Sequence, residues 1–385
     1  MDRLLWLAEV PFAGQPHRQP HLARALAPRF DTLFVEPPPP LRPPRPGLLE
    51  RSGLRVAQAA PLLNARPRPL RMLLGHPRAR RLAARLGTLQ VARAVRSAGW
   101  RRGSVRLSAV CSTVYLAHAA AALAPDRLIL DVCDDPRYFP GDPPWVHELL
   151  DAAVAQVDLV TTSSRYLEEQ FEPLAPGRVR YLPNGIHRRF LDLASTPRVP
   201  PPPTAGFVGY FGPWVDFELL DTLAASARDI SIELVGPVDP SARDSLSRLL
   251  RWPHVRYRDG VPYAAVPEVM AGFTVGLIPF RSTPYTRAAN PIKMYEYAAH
   301  NLPIVSTAFS DDVTQFRDYV DVCCSPEAFV RTTRARAAGR DHRPTRWIAE
   351  AHTWEALADG LAALIDDGTS RAAGPKRAAR TKAWT

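Results

Sequence analysis

The sequence predicts an α/β fold built from two mostly parallel, doubly wound sheets. Three observations favour this class. Short β-branched or aliphatic runs alternate with helix-length amphipathic stretches along most of the chain, which is the βαβ rhythm. The rhythm restarts after a proline-rich stretch in the middle of the chain. The length of 385 residues also suggests two domains, because single domains average roughly 150 residues.

The predicted domain boundary is a proline-rich linker, residues 195–204, because its proline run can form neither a helix nor a central strand. The first domain is then residues 1–194 and the second is residues 205–368. Residues 369–385 are interpreted as a basic tail. A second proline cluster, residues 37–46, is interpreted as a surface loop of the first domain.

Each sheet is expected to contain six strands, with helices between most of them. In the first domain the predicted strands are Arg3–Leu7, Thr32–Val35, Val105–Cys111, Leu128–Val132, Leu159–Thr162 and Arg178–Leu182. In the second they are Ala205–Tyr210, Ser231–Val235, His254–Tyr257, Val275–Ile278, Ile304–Ser306 and Val320–Cys323. Trp354 opens an amphipathic helix that we expect to pack on the second domain. Open sheets of this kind bind ligands beyond the carboxyl ends of their strands.

Composition excludes several classes of protein. With 46% hydrophobic and 23% charged residues, the chain is neither wholly disordered nor fibrous. No apolar run approaches the ~20 residues of a membrane-spanning helix, so we expect a cytoplasmic protein. The formal charge of +11 fits an anionic ligand or membrane surface. Nucleic acid is disfavoured, since no aromatic-basic RNA signature, helix-turn-helix or zinc-finger spacing is found.

An arginine-dense stretch, residues 66–106, carries Leu82, Leu86 and Leu89 at helical spacing on one face. Two interpretations stay open. The stretch is either a solvated helix face or a surface that docks on anionic lipid head groups, which would place the protein peripherally at the inner face of the membrane.

The strongest constellation lies between Arg281 and Ser306. Asn290 is a good N-cap and proline is favoured at the first helical position, so we expect a helix to start at Pro291. A cation in the first helical turn opposes the helix dipole, so Lys293 indicates a bound phosphate there. Glu296 lies on roughly the same face, where its carboxylate could accept hydrogen bonds from a ribose. A solvated surface pair of Lys293 and Glu296 is the alternative.

The stretch NPIKMYEYAAHNLPIVST resembles the nucleotide-sugar signature of GT-B glycosyltransferases in the glycogen-synthase-like family 4 group. LILDVCDDPRYFPG, HELLDAAVAQVDLVTTSSRYLEE and VRYLPNGIHRRF are similar to successive blocks of a bacterial polysaccharide-type subgroup. The resemblance implies a GT-B fold, with two Rossmann-like domains facing a cleft. It also implies a retaining enzyme that moves a sugar from a nucleoside diphosphate sugar to a glycan, lipid-linked or small-molecule acceptor. Neither a metal ion nor another cofactor is implied.

Carried over by position, the resemblance places the donor in the second domain. Glu296 would bind the ribose, the turn from Gly209 would approach the diphosphate, and the segment near Val261 would flank the base. The donor-binding residues are then Gly209, Tyr210, Gly212, Gly236, Val261, Tyr263, Asn290, Pro291, Ile292 and Glu296.

The chain departs from the family pattern at two points. Many members carry a second Glu eight residues before the ribose-binding one, where this chain has Ala288. Many also carry a basic residue just past the glycine-rich turn, and the turn YFGPWVDFELL has none. We expect Arg281 and Lys293 to supply that charge as the catalytic residues.

The acceptor is assigned to the first domain. Gly14, His17 and Arg18 follow the first strand, and Asp134 and Asp135 follow another. His17 is either a base or polar surface. The aspartates could contact the acceptor or shape a turn, whereas a metal site is disfavoured because the metal-binding DxD belongs to the other glycosyltransferase fold.

Two alternative functions remain open. One is a sugar-nucleotide epimerase of the same GT-B fold, which needs no acceptor. The other is a catalytically silent nucleotide-sugar-binding protein, which Ala288 and the missing basic residue make conceivable. A serine hydrolase and a P-loop kinase are disfavoured, because neither GxSxG nor GxxxxGK[ST] occurs.

Overall fold

The computed structural model describes residues 1–13, 17–39, 42–64, 68–101, 103, 105–134, 137, 143, 145–194, 202–339 and 342–367. The chain divides into two compact units. Unit 1 is Met1–Leu182 together with the segment from Glu355, and unit 2 is Pro183–Trp354.

Unit 1 contains an eight-stranded sheet with strand order β3-β4-β2-β1-β5-β6-β7-β8. The strands are β1 (Arg3–Leu7), β2 (Asp31–Glu36), β3 (Leu49–Arg51), β4 (Leu54–Gln58), β5 (Leu107–Cys111), β6 (Arg127–Val132), β7 (Leu159–Thr162) and β8 (Val179–Tyr181). The helices of this part of the chain are α1 (Arg18–Leu26), α2 (Arg68–Leu74), α3 (Pro77–Ser97), α4 (Ala117–Ala122), α5 (Trp145–Gln156) and α6 (Arg165–Phe171). All neighbouring strands are parallel except β3 and β4.

The central strands of this sheet are buried on both faces, which explains their continuous apolar runs. Leu4, Leu5, Trp6 and Leu7 of β1 are all fully buried. The strand order changes direction between β1 and β5, so the loops after these two strands border the crevice where open sheets bind ligands.

Unit 2 contains a six-stranded, all-parallel sheet with order β11-β10-β9-β12-β13-β14. The strands are β9 (Thr204–Val208), β10 (Ser231–Val235), β11 (Val255–Arg258), β12 (Val275–Ile278), β13 (Ile304–Thr307) and β14 (Asp321–Cys323). The helices are α7 (Arg189–Ala194), α8 (Phe217–Ser226), α9 (Arg243–Leu249), α10 (Val266–Met270), α11 (Pro284–Arg287), α12 (Ile292–Ala299), α13 (Asp311–Thr314), α14 (Pro326–Ala337) and α15 (Arg346–Glu350). Here the order changes direction between β9 and β12.

Helix α12 packs tightly on the middle of this sheet through one tyrosine. The ring of Tyr297 lies so close to β12 that a Cβ added at Gly276 would stand 2.5 Å from it. The Tyr297 hydroxyl accepts a hydrogen bond from the Val208 amide at 3.2 Å, at the end of β9. These contacts hold α12 against the two central strands, β9 and β12.

The division of the chain differs from the predicted one at both ends of unit 2. Helix α7 belongs to unit 2, where Arg346 Nη2 donates to the carbonyl of Leu191 at 3.1 Å. The last described helix, α16 (Trp354–Asp366), belongs to unit 1 from Glu355 onward. There Arg106 Nη2 donates to the carbonyl of Ile365 at 2.6 Å. The expectation that this helix packs on the second domain, and that the domain reaches residue 368, is therefore wrong.

The linker, residues 195–204, is described only from residue 202, and Thr204 already begins β9. The tail, residues 369–385, lies outside the described residues. None of the described helices is both long and apolar enough to cross a bilayer.

All twelve predicted strands are present within two residues of their expected bounds. The pair β3 and β4 was not predicted. Their connection contains Ser52 and Gly53, with φ of 50° and 75°, which is a two-residue hairpin turn with left-handed backbone. The Ser-Gly dipeptide was the available signal, but the flanking segments are short and polar.

Candidate functional site

The candidate site in unit 2 lies at the carboxyl ends of β9 and β10. Gly209 and Gly236 directly follow these strands, with φ of 149° and 143°, a region that side chains with a Cβ rarely adopt. A Cβ added at Gly236 would lie 1.9 Å from the carbonyl oxygen of Gly209. Both positions therefore require glycine, and the two loops pack closely against each other.

Lys293, in the first turn of α12, lies directly over Gly209. A Cβ added at Gly209 would stand 2.3 Å from Lys293 Cε and 2.5 Å from Nζ. The ammonium also lies 5.4 and 5.5 Å from the ring centres of Phe207 and Phe280. Among the described residues no carboxylate forms an ion pair with it. Burial lowers the pKa of Lys293, although the nearby Glu296 opposes that shift.

Lys293 is one of three lysines in the chain, and the other two, Lys376 and Lys382, lie close to the end of the sequence. A half-buried cation without a carboxylate in contact is unfavourable unless an anion binds beside it. The surroundings of Lys293 thus suit an anionic ligand.

Helix α12 begins one residue later than predicted. Ile292 is its first residue, and Pro291 occupies the N-cap position with no side chain capping the helix. The expectation that Asn290 is the N-cap is wrong, because its side chain bonds elsewhere. The first-turn amides of α12 consequently keep the anion-binding character of an uncapped helix N-terminus.

Asn290 instead joins three segments of unit 2. Its Nδ2 donates to the Tyr295 hydroxyl at 3.0 Å and to Asp312 Oδ1 at 2.9 Å. Its Oδ1 accepts from the Asn184 amide at 3.1 Å, and Asn184 Nδ2 donates to the Asn290 carbonyl at 2.8 Å. An amide suits this position because it both donates and accepts. The sequence carries no signal of this pairing.

Glu296 is buried, with 6% of its surface exposed, and lies one turn after Lys293 on α12. Burial raises the pKa of Glu296, while Lys293 and a hydrogen bond from Tyr263 lower it. Burial and the same carboxylate raise the pKa of Tyr263 well above its usual value, so its hydroxyl stays protonated and donates. The alternative of a solvated surface pair is therefore excluded for Glu296.

The turn after β9 carries aromatic rings and no basic residue. Trp214 lies between Tyr210 and Tyr285, with ring centres 5.7 and 5.9 Å apart. Gly212 makes room for the Trp214 ring, since a Cβ there would stand 2.5 Å from it. The Tyr210 hydroxyl donates to Asp239 Oδ2 at 3.0 Å. Sequence reasoning missed Trp214 and Tyr285, although a tryptophan beside the turn was visible.

Arg281 lies at the edge of this site. Its side chain is 44% exposed, and its guanidinium nitrogens lie 3.9 Å from Asp216 and 3.8 Å from Glu218. Such long, exposed ion pairs are weak, so they leave the Arg281 guanidinium able to bind an anionic ligand. Val261 is half-buried against the core of unit 2, and Tyr263 packs on Phe190 with ring centres 5.2 Å apart. Ala288 is buried at the end of α11.

In unit 1, Arg18 forms a buried ion pair that the sequence did not reveal. Its Nη2 lies 2.9 Å from Asp131 Oδ1, and the two side chains are 4% and 0% exposed. Asp131 also accepts from Thr161 Oγ1 at 2.8 Å. The two partners are 113 residues apart, which explains why sequence reasoning missed Asp131. The structure gives Arg18 this ion pair, and its acceptor contact stays a prediction.

A small pocket of about 30 Å³ opens beside this pair, and Glu9, Ser112, Tyr115, Cys133 and Asp134 are among its lining residues. His17 is exposed and precedes α1 without capping it. The remaining predicted acceptor residues, Gly14 and Asp135, lie outside the described residues. Within the part of the chain that the structure describes, no group of three or more His, Cys, Asp or Glu could hold a metal ion.

Two units, each with a mostly parallel, doubly wound sheet, define the GT-B fold. Solved structures of that fold match nearly the whole chain. Sucrose-phosphate synthase of Thermosynechococcus elongatus has a TM-score of 0.69 and 14% identity, over 95% of this chain and 99% of that one. Anabaena Alr3699/HepE in complex with UDP has a TM-score of 0.66 and 15% identity, over 95% and 100%. At these identities the likeness shows the fold.

A curated relative adds a likeness in sequence. A Bacillus subtilis (strain 168) protein, provisionally named teichuronic acid biosynthesis glycosyltransferase TuaH, is 27% identical over 179 residues. The match covers 43% of this chain and only 44% of that relative. No protein-family model matches the sequence. The solved structures and the curated relative together confirm the predicted resemblance to GT-B glycosyltransferases.

Proposed function

We propose that this protein is a glycosyltransferase that moves a sugar from a nucleoside diphosphate sugar to an acceptor. The observation that carries the proposal is the position of Lys293 over Gly209, beside Gly236 and the start of α12. The GT-B fold, the relative named as a glycosyltransferase and the complex of a fold neighbour with UDP support it. UDP is accordingly the first donor nucleotide to test.

The diphosphate binds beside the loops of Gly209 and Gly236, because these loops lie next to two sources of positive charge. These sources are the ammonium of Lys293 and the uncapped N-terminus of α12. Glu296, one turn deeper, accepts hydrogen bonds from the ribose hydroxyls. In the free protein the Tyr263 hydroxyl donates a hydrogen bond to that carboxylate. The base of the nucleotide lies next to Tyr263 and Val261.

Cleavage of the donor places additional negative charge on the leaving diphosphate. Fixed positive groups that face this charge lower the barrier, because they need no rearrangement as the bond breaks. Lys293 is the central group, and Arg281 at the edge of the site adds a second, weaker contribution. Retention of configuration and independence from metal are inferred from the family resemblance.

The acceptor binds in unit 1, on the loops after β1 and β6 that carry His17 and Asp134. A glycan acceptor is favoured by the relative that is named for teichuronic acid biosynthesis. Lipid-linked and small-molecule acceptors also carry a hydroxyl group that can receive the sugar, so they too fit the proposal. We place the reaction in the cytoplasm, where nucleotide sugars are made.

A thermal-shift titration with UDP, GDP, ADP and dTDP tests the donor site, because a ligand that binds only the folded state raises the melting temperature. We expect one nucleotide to shift the wild type and to shift Lys293→Ala and Glu296→Ala less. The control is Arg248→Ala, which removes an exposed cation on α9 and should leave the shift unchanged. No shift with any of the four nucleotides would contradict the proposal.

Product analysis then separates the activities. A transferase releases nucleoside diphosphate when acceptor is added, whereas an epimerase interconverts sugar nucleotides without acceptor. A silent binding protein does neither. Release of nucleoside diphosphate that depends on acceptor is the expected result.

A further inference from the structure

In α3 of unit 1 the small side chains are buried and the large apolar ones are exposed, which is the reverse of ordinary helix packing. The residues that α3 buries are small or short, namely Ala84, Gly87, Val91 and Ala94. Its large apolar side chains point outward, with Leu82 and Leu89 each 60% exposed and Leu86 43% exposed. The preceding helix α2 adds Met72 and Leu73, at 86% and 62%. A surface helix normally buries its large apolar side chains, so this face is built for another environment.

Arginines surround these leucines. At 100° per residue, Leu82, Leu86 and Leu89 form one stripe, and exposed arginines lie on and beside it. We call this set the leucine–arginine face, and its members are Arg78, Leu82, Arg85, Leu86, Leu89, Arg93 and Arg96. Among the described residues, none of its four guanidinium groups forms an ion pair.

The surrounding sequence contains no negative charge. From residue 51 to residue 125 the chain carries 14 arginines and no Asp or Glu. A solvated protein surface normally mixes both signs of charge, which limits non-specific association. Here the field of the whole segment is positive and is centred on exposed apolar side chains.

We infer that the leucine–arginine face docks this protein on a bilayer of anionic lipids. Leucines enter the boundary between head groups and acyl chains, and arginines pair with lipid phosphates above it. The helix is 21 residues long, or about 30 Å, so its outer face can lie along the membrane plane. The inference is independent of the donor site in unit 2 and holds for any acceptor.

Vesicle co-sedimentation of the full chain tests the inference, with phosphatidylcholine vesicles that contain or lack phosphatidylglycerol. Binding is expected only with phosphatidylglycerol, and high salt should weaken it. Each arginine near an anionic surface strengthens binding about fivefold, so replacing Arg78, Arg85, Arg93 and Arg96 with Gln should lower the partition coefficient by roughly 100-fold or more. The matched control replaces four exposed arginines of unit 2, which are Arg188, Arg189, Arg243 and Arg248.

The apolar half of the face is tested by Leu82→Ser with Leu89→Ser, which should lower binding by at least about tenfold. Its control is Leu174→Ser with Leu250→Ser, at leucines that are 38% and 39% exposed elsewhere. Circular dichroism melting verifies that each variant folds.

Three results would overturn the inference. Wild-type protein could fail to sediment with anionic vesicles, or the face variants could bind as tightly as their controls. The protein could instead fail to bind vesicles and form a dimer in sedimentation equilibrium. If Leu82→Ser with Leu89→Ser disrupted that dimer, the face would be assigned to a second copy of the chain. A duplex nucleic acid that binds the face more tightly than the vesicles would assign it to nucleic acid.

Discussion

Replacing Lys293 with methionine should separate donor binding from stability. Methionine keeps much of the apolar stem between Phe207 and Phe280 and removes the ammonium over Gly209. A hydrogen bond to a charged group contributes about 1.5–3 kcal/mol, so UDP should bind roughly 10- to 150-fold more weakly. The variant should nevertheless be at least as stable as the wild type, since burial of the charged lysine is unfavourable in the free protein.

The sign of the pH dependence follows from the lowered pKa of Lys293. Between that lowered value and its ordinary value of 10.5, the unfolded chain binds the proton more strongly than the folded protein does. The free energy of unfolding should therefore rise with pH in this window for the wild type. Lys293→Met should lack that rise, because it has nothing to titrate.

Isothermal titration with UDP and urea unfolding at several pH values measure both effects. Arg248→Met is the matched control, because it removes an exposed cation of the same unit. A folded Lys293→Met protein that binds UDP as tightly as the wild type would refute the reasoning about the site. A large loss of stability in that variant would refute the reasoning about burial.

Three further changes have defined outcomes. Glu296→Gln should weaken UDP while leaving inorganic pyrophosphate unaffected in competition titrations, since the carboxylate contacts ribose; equal losses for both ligands would contradict this role. Gly236→Ala forces a Cβ against the Gly209 carbonyl at φ 143°, which should cost about 1–3 kcal/mol in urea unfolding and abolish the UDP shift; a wild-type midpoint would contradict the geometry. Arg18→Met should destabilise unit 1 by about 3–5 kcal/mol because Asp131 is left charged and buried, and adding Asp131→Leu should restore part of the loss; no restoration would argue against the pairing.

Sequence predicted the sheets well for a physical reason. Strands buried on both faces must be apolar along their whole length, and that pattern is local. The hairpin of β3 and β4 escaped prediction because its strands are short, partly exposed and only weakly apolar. The assignment of α16 to unit 1 could not be predicted from its local sequence either. Its amphipathic pattern shows that one face of the helix is buried, but it does not show which unit that face packs against.

The candidate site was partly predictable. Lys293 and Glu296 stand out because a cation in the first turn of a helix conflicts with the helix dipole, and that conflict is visible in sequence. The contacts that complete the site join distant residues, such as Tyr263 with Glu296 and Asn184 with Asn290. Such pairs depend on topology, so no spacing rule reveals them.

The central claim is that Lys293 is a partly desolvated cation that binds the diphosphate of the donor. Reductive methylation with ¹³C-formaldehyde labels the three lysines and the N-terminal amine, and Lys293→Met identifies the resonance of Lys293. Titration by NMR should give Lys293 a pKa below its ordinary value of 10.5 in the free protein, and UDP should raise that pKa. A Lys293 that titrates at its ordinary value and does not respond to UDP would contradict the claim.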